Sequence, residues 1–321
     1  MSKPALDKRL RIGVSSCLLG IESRYDGGHM RDGYIADVLA EYFDFAPVCP
    51  ELEAGMGKIR EPVQLEGNLE SPRLVGIKSG QDWTARMIQY SSRRLRKADL
   101  SETCGYILKS RSPSCGMERV KLYSPTGRVA RKAVGLFAAA LMKKYPDLPV
   151  EEEGRLGDPD LRENFIVRVF AYDRLRQLFA GRFRRSEIIA FHISHKCLLL
   201  AHHPATYRQL GWLLAATQDT SASELRQQYR HLFMTALSHR ATVKKNVNVL
   251  QHIRGSLKKH ISASEEADLL TVIAEYHREL VPLIVPLTLV RHHVDKHQIT
   301  YIQDQVYLNP HPSELMLRNR V

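Results

Sequence analysis

Tyr106-Ile107-Leu108-Lys109-Ser110-Arg111-Ser112-Pro113-Ser114-Cys115-Gly116 sets a β-favouring run against a polar loop that carries one thiol and breaks at Pro113 and Gly116. That pattern predicts a strand running into a functional loop. It recurs twice: Arg11-Ile12-Gly13-Val14 opens into Ser15-Ser16-Cys17, and Phe43-Asp44-Phe45-Ala46-Pro47-Val48 opens into Cys49-Pro50-Glu51. If the three runs are parallel strands of one sheet, all three thiols stand at its carboxyl edge, where open α/β sheets hold their ligands. The expected N-terminal fold is α/β, a Rossmann-like parallel sheet with three sulfurs converging on one spot.

Between these strands, Ser23 to Gly33 packs Arg24, Asp26, His29, Arg31 and Asp32 among glycines, a loop rich in ligand-binding groups that is otherwise an ordinary turn. Residues 34–42 show helical spacing through Ile35, Val38, Leu39 and Tyr42. Arg60 to Leu65 and Arg73 to Ile77 suggest a hairpin at the sheet edge. A basic helix is expected from Asp82 to about Lys97, an extended piece from Met117 to Tyr123, an apolar helix over 133–144 and a last strand at Leu148-Pro149-Val150. The acidic, Gly- and Pro-containing stretch 151–159 then breaks the pattern, and we read residues 1–150 as one domain, 151–159 as a linker and 160–321 as a second domain.

Helical periodicity dominates the second half, which predicts an all-α bundle. Phe165, Val169, Tyr172, Leu175 and Phe179 share one face, Ser186 is placed to cap a helix through Leu200, and Ser221-Ala222-Ser223-Glu224 and Ser262-Ala263-Ser264-Glu265 are capping boxes opening two more. Ser238 to His260 carries Arg240, Lys244, Lys245, Arg254, Lys258 and Lys259 with no acid. So one-sided a helix suits a polyanion, as does the run holding Arg86, Arg93 and Arg94, although basic runs are commonly solvated faces. The chain is basic throughout: its net charge of +12 divides into +7 on residues 1–150, from 24 lysines and arginines against 17 acids, and +5 on the rest. Nucleic acid is the partner such a balance suits.

The 321 residues contain no apolar run of about 18 and no N-terminal signal core, which predicts neither membrane insertion nor secretion and makes the cytoplasm the expected compartment. Five cysteines in a reducing compartment are better metal, cluster or catalytic candidates than disulfides. Cys104 and Cys197 lie outside such loops and read as small core hydrophobes. Cys17, Cys49 and Cys115 without a fourth thiol leave a metal incompletely capped, as catalysis requires. Zinc with a water is one such centre; a [4Fe-4S] cluster with one open iron, a Lewis acid toward sulfur, is another. Glu51, the carboxylate beside a thiol, is a candidate for proton transfer, or else a helix N-terminal acid. Ser112 and Ser114 offer hydroxyls to a ligand or stabilise the turn at Pro113.

Ser16-Cys17-Leu18-Leu19-Gly20, Arg24-Tyr25-Asp26-Gly27-Gly28-His29, Pro47-Val48-Cys49-Pro50-Glu51 and Ser112-Pro113-Ser114-Cys115-Gly116 together resemble the signatures of a desulfidase domain related to the thiouracil desulfidases. Ala190-Phe191-His192, His195-Lys196, Asn248 to His252, Val285 to Thr288 and His292-His293 resemble a YbgA-type helical domain. The likeness spans about residue 10 to the end. It implies that Cys17, Cys49 and Cys115 bind a [4Fe-4S] cluster and that the fused form removes sulfur from 4-thiouridine in tRNA without net redox change, by hydrolytic C–S cleavage that gives uridine and sulfide. The stand-alone domain acts on free thiouracils. On this reading Glu51 moves the proton and His29 or Ser112 positions the base. Arg86, Arg93, Arg94, Lys244, Lys245, Arg254 and Lys258 contact RNA, with no membrane partner. Met30 departs from the basic residue expected there. Two alternatives are a desulfidase of free thiolated bases and an iron–sulfur regulator that binds RNA without turnover.

Overall fold

Ile12 and Val14 are fully buried in the first strand, and every residue of Gly105–Leu108 is buried as well, the near-continuous apolar signature of strands covered on both faces. The computed structural model describes residues 9–124, 126, 128–216 and 221–320. It divides into two units, Met1–Asp158 and Pro159–Val321.

The first unit runs β1 (Leu10–Ser15), β2 (Phe43–Val48), β3 (Val63–Glu66), β4 (Arg73–Gly76), α1 (Thr84–Arg94), α2 (Ala98–Ser101), β5 (Gly105–Leu108), β6 (Val120–Tyr123), β7 (Val129–Ala133), α3 (Leu136–Lys144) and β8 (Val150–Glu152). Its main sheet has the order β2-β1-β5-β8, all parallel, with Ile12 opposite both Phe45 and Gly105. The α/β reading therefore holds. β1 and β5 pack closely because residue 13 is glycine: a Cβ there would lie 2.2 Å from the Tyr106 ring. Tyr106 in turn meets Phe137 of α3 at 6.0 Å between ring centroids.

Three expectations need correction in this unit. The hairpin β3–β4 is antiparallel as read, but it belongs to a second sheet, β4-β3-β6-β7, and not to the edge of the first. The helical segment over 34–42 is irregular, a wide turn at Tyr34–Val38 followed by a tight one at Leu39–Glu41. The acidic stretch 151–159 is not a linker throughout, because Glu151 and Glu152 complete β8 at the sheet edge.

The second unit is helical among its described residues: α4 (Pro159–Leu178), α5 (Arg185–Ser194), α6 (Lys196–His202), α7 (Pro204–Ala215), α8 (Ala222–Ser238), α9 (Val243–Leu257), α10 (Ala263–His277), α11 (Ile284–Lys296) and α12 (Thr300–Gln303). Ser221 and Ser262 cap α8 and α10 by accepting from the amides of Glu224 and Glu265, each at 3.2 Å. Ser186 does not cap a helix to Leu200. Arg184 holds that position, Glu187 accepts from its amide at 2.7 Å, and the run breaks at His195. Phe165, Phe233, Tyr229 and Tyr307 fill the core, where Tyr307 donates to Asn246 Oδ1 and Asn246 donates to the Tyr276 hydroxyl. No helix of the described residues is long and apolar enough to cross a membrane.

Candidate active site

Each strand of the β2-β1-β5 core delivers one cysteine from its carboxyl end. Cys17 follows β1 in a tight turn, Cys49 follows Val48 directly, and Cys115 closes the loop after β5. All three line one cavity of about 370 Å³, with Arg24, Glu51 and Lys109 at its wall. None of the three forms a disulfide. Burial pushes the Cys17 thiol up to about 11, with Cys49 adding to the effect, while Lys109 and Arg24 oppose it. Burial also raises Cys49, and raises Cys115 strongly, Cys49 again being the next cause. As neutral thiols they behave accordingly: Cys49 Sγ donates to the Ser23 carbonyl at 3.3 Å. A cation that accepts thiolates would displace those protons.

The loop that presents Cys115 is held from three sides. Ser112 Oγ accepts from the amides of Ser114 at 3.2 Å and Cys115 at 3.1 Å, so this hydroxyl shapes the loop and keeps its proton to donate. At the end of β8, Glu152 accepts from the Met117 amide at 2.7 Å, and Glu153, the residue after the strand, accepts from the Ser110 amide and hydroxyl at 2.7 Å and pairs with Lys109. From α3, the amides of Phe137 and Ala138 donate to the Ser114 carbonyl at 3.0 and 3.2 Å, and that of Gly135 donates to the Gly116 carbonyl at 2.8 Å. The sequence pattern carried no sign of Glu152 and Glu153 as supports, because they lie in the stretch taken for a linker.

Glu51 is anchored by Arg60, whose Nε and Nη2 both donate to Oε2, at 3.1 and 2.7 Å. Both side chains are well shielded, at 6% exposure for Arg60 and 14% for Glu51. Arg60 also donates to the carbonyls of Ser23, Gly57 and Lys58, so it ties together the loops after β1 and β2. Read from sequence, Arg60 is simply the start of an extended run. His29, by contrast, is exposed, is not among the residues lining the cavity, and accepts the Arg31 amide on Nδ1 at 3.2 Å. The loop instead offers Arg24, Tyr25 and Met30 to the cavity.

The basic residues split. Arg86, Arg93, Lys244 and Lys258 are exposed. Arg94 is 7% exposed and pairs bidentately with Asp99 at 2.7 and 2.8 Å and with Glu53 at 3.3 Å, so it serves the core and not a phosphate. Lys245 donates to the carbonyls of His202 at 2.6 Å and Arg240 at 3.0 Å, satisfying the end of α6. Arg254 pairs with Glu266 at 2.8 Å. A larger cavity, about 600 Å³, lies in the helical unit, lined by Asp160, Glu163, Arg240, Lys244, Arg318 and Arg320 among others. Within it Arg318 pairs with Glu163 and Arg320 with Asp160, and no cysteine is among the residues that line it.

Residues 12–153 match the family model of 2-thiouracil desulfurase, and the Bacillus subtilis protein YbbK is 32% identical over 150 residues, 45% of this chain and 97% of that protein. The chain belongs to the 2-thiouracil desulfurase family. Residues 196–312 also match a family described as a protein of unknown function (DUF1722). The Escherichia coli protein YbgA is 29% identical over 158 residues, 49% of this chain and 94% of that protein. A solved structure titled a [4Fe-4S]-dependent thiouracil desulfidase, TudS, aligns at 28% identity and a TM-score of 0.38, covering 47% of this chain and 95% of that chain.

Proposed function

We propose that the protein removes sulfur from 4-thiouridine in tRNA, leaving uridine and hydrogen sulfide, with a [4Fe-4S] cluster held by Cys17, Cys49 and Cys115. The observation that carries this reading is the lining of one cavity by three thiols from three parallel strand ends. An all-sulfur donor set suits iron–sulfur chemistry. The cavity of about 370 Å³ is also far larger than a lone ion and one water, at about 30 Å³ per water, would need. Ser23 Oγ, buried in the same wall without a hydrogen-bond partner, would have a proton to donate to a cluster held there.

When bound, the cluster supplies an open iron that draws electron density from a thiocarbonyl sulfur. The chain's own residues do the rest. Glu51 spends Oε2 on Arg60 and keeps Oε1 to take a proton from the water that attacks the thiolated carbon. The Ser112 hydroxyl donates a hydrogen bond to the base and positions it. The exchange balances as thiocarbonyl plus water giving carbonyl plus hydrogen sulfide, with no electrons transferred. Exposed Arg86, Arg93, Lys244 and Lys258 supply phosphate contacts that position the RNA and do not select the base. A reducing cytoplasm keeps the thiols free for the cluster.

A second reading, action on free thiolated uracil, is favoured by the family description itself. Anaerobically reconstituted protein given tRNA containing 4-thiouridine and, separately, 2-thiouracil and 4-thiouridine separates the two. Sulfide release from tRNA supports the first reading; release from the small molecules alone replaces it with the second; RNA binding without release makes the protein a regulator. Glu51→Gln should keep the visible absorbance of the cluster and lose sulfide release by about 100-fold or more.

A further inference from the structure

We propose that Glu265, His293 and His297 form a second metal centre, a three-ligand site for a first-row divalent cation such as zinc, separate from the thiol cavity. One ligand atom from each of the three lies within 4.8 Å of the others. His293 and His297 stand four residues apart at the carboxyl end of α11, the spacing that puts two imidazoles on one helix face. Glu265 comes from the first turn of α10, with Oε1 at 3.9 Å from His293 Nδ1.

The polar accounting around His293 is what points to a ligand. The ring is 3% exposed, yet neither of its nitrogens has a hydrogen-bond partner, and Nε2 of His297 is buried without one as well. Buried imidazole nitrogens are ordinarily satisfied, and a fully unpaired one calls for an unseen partner. Glu265 is oriented as a ligating carboxylate is: Oε2 accepts from the Ser262 amide at 2.8 Å and hydroxyl at 2.9 Å, which leaves Oε1 directed at the histidines. A positive charge already occupies that side, since Lys296 Nζ donates to Oε1 at 2.7 Å. Lys296 is half exposed and free to swing into solvent when a cation arrives. Two imidazoles and one carboxylate make a borderline donor set that suits zinc, and three protein ligands leave the fourth tetrahedral position open to water. The metal would tie the start of α10 to the end of α11. None of this rests on the desulfidase reading.

The test is titration of the metal-stripped, full-length chain with Co²⁺, an optical stand-in for zinc, with Cys17, Cys49 and Cys115 intact. Nitrogen and oxygen ligands give weak visible bands, whereas thiolates add an intense near-ultraviolet charge-transfer band, so the two sites are told apart by their spectra. We expect one equivalent bound without the thiolate band, lost in E265Q and H297Q, whose fold is checked by circular dichroism. Lys296→Met, which leaves all three ligands and removes the competing ammonium, should tighten that equivalent by about tenfold or more. The proposal is overturned if every bound equivalent shows the thiolate band, if E265Q and H297Q bind as the wild type does, or if Lys296→Met leaves the affinity unchanged.

Discussion

Replacing Gly135 with alanine would put a methyl group where the cysteine loop already is. The new Cβ would lie 2.5 Å from the Ser114 carbonyl carbon, 2.6 Å from its oxygen and 2.8 Å from the Cys115 nitrogen, all backbone atoms that no rotamer change can move. Gly135 has φ −62° and ψ 144°, which alanine adopts without strain, so the effect is steric alone. Restoring the 3.4 Å at which ordinary contact begins requires the loop to retreat by about 0.9 Å from the start of α3. Metal–ligand distances tolerate about 0.2 Å, so Cys115 would be carried out of reach of a shared cofactor. The same overpacking should cost about 1–3 kcal/mol, a fall in Tm of about 2–12 °C, without unfolding the sheet. Iron and acid-labile sulfide per chain, with visible absorbance after anaerobic purification, measure the first effect, and a thermal melt the second. Gly157→Ala, whose Cβ meets nothing within 4 Å, is the control. A Gly135→Ala protein with the iron content and spectrum of the wild type would refute the idea that α3 sets the position of Cys115.

Arg60→Met should destabilise the first unit by about 3–5 kcal/mol in urea unfolding, because it leaves the shielded Glu51 carboxylate without the guanidinium whose two nitrogens donate to Oε2. Arg60→Lys should rescue only part of this, a single ammonium being unable to reproduce the fork. Gly211→Ala, on a helix and with open space around the new methyl, should stabilise the helical unit by about 0.5–1 kcal/mol, read as a raised Tm. The helical unit should also be acid-labile. Burial holds His192, His202 and His311 down to about 4 and His195 down to about 3, so they stay neutral when folded while the unfolded chain protonates below about 6.5. Their contribution is therefore complete above pH 6.5 and falls as pH drops toward 4, by up to about 1.4 kcal/mol per pH unit for each histidine. Urea midpoints of the unit that stay flat from pH 7 to 4.5 would contradict this.

The sequence by itself determined that three strands end in cysteine loops and that Ser221 and Ser262 open helices. Apolar runs such as Tyr106 to Leu108, breakers such as Pro113, and the caps Ser221 and Ser262 act on neighbours within a few residues, so their meaning is already present in the order of the chain. What only the tertiary structure decided is which partner each charged or polar group meets. Arg94 and Lys245 stand beside Arg93 and Lys244 in the same basic runs, yet packing against Asp99 and against the end of α6 takes them out of any phosphate surface. Glu153 looked like part of a linker and proves to be the support of Ser110, 43 residues before it. His29 stood beside the cavity in sequence and lies outside its wall in space. Glu265 meets His293 across 28 residues only because α10 and α11 pack together. The physical reason is common to all of these: backbone propensity and capping are local, whereas the pairing of buried charges follows from which surfaces the packed core brings within a few ångströms.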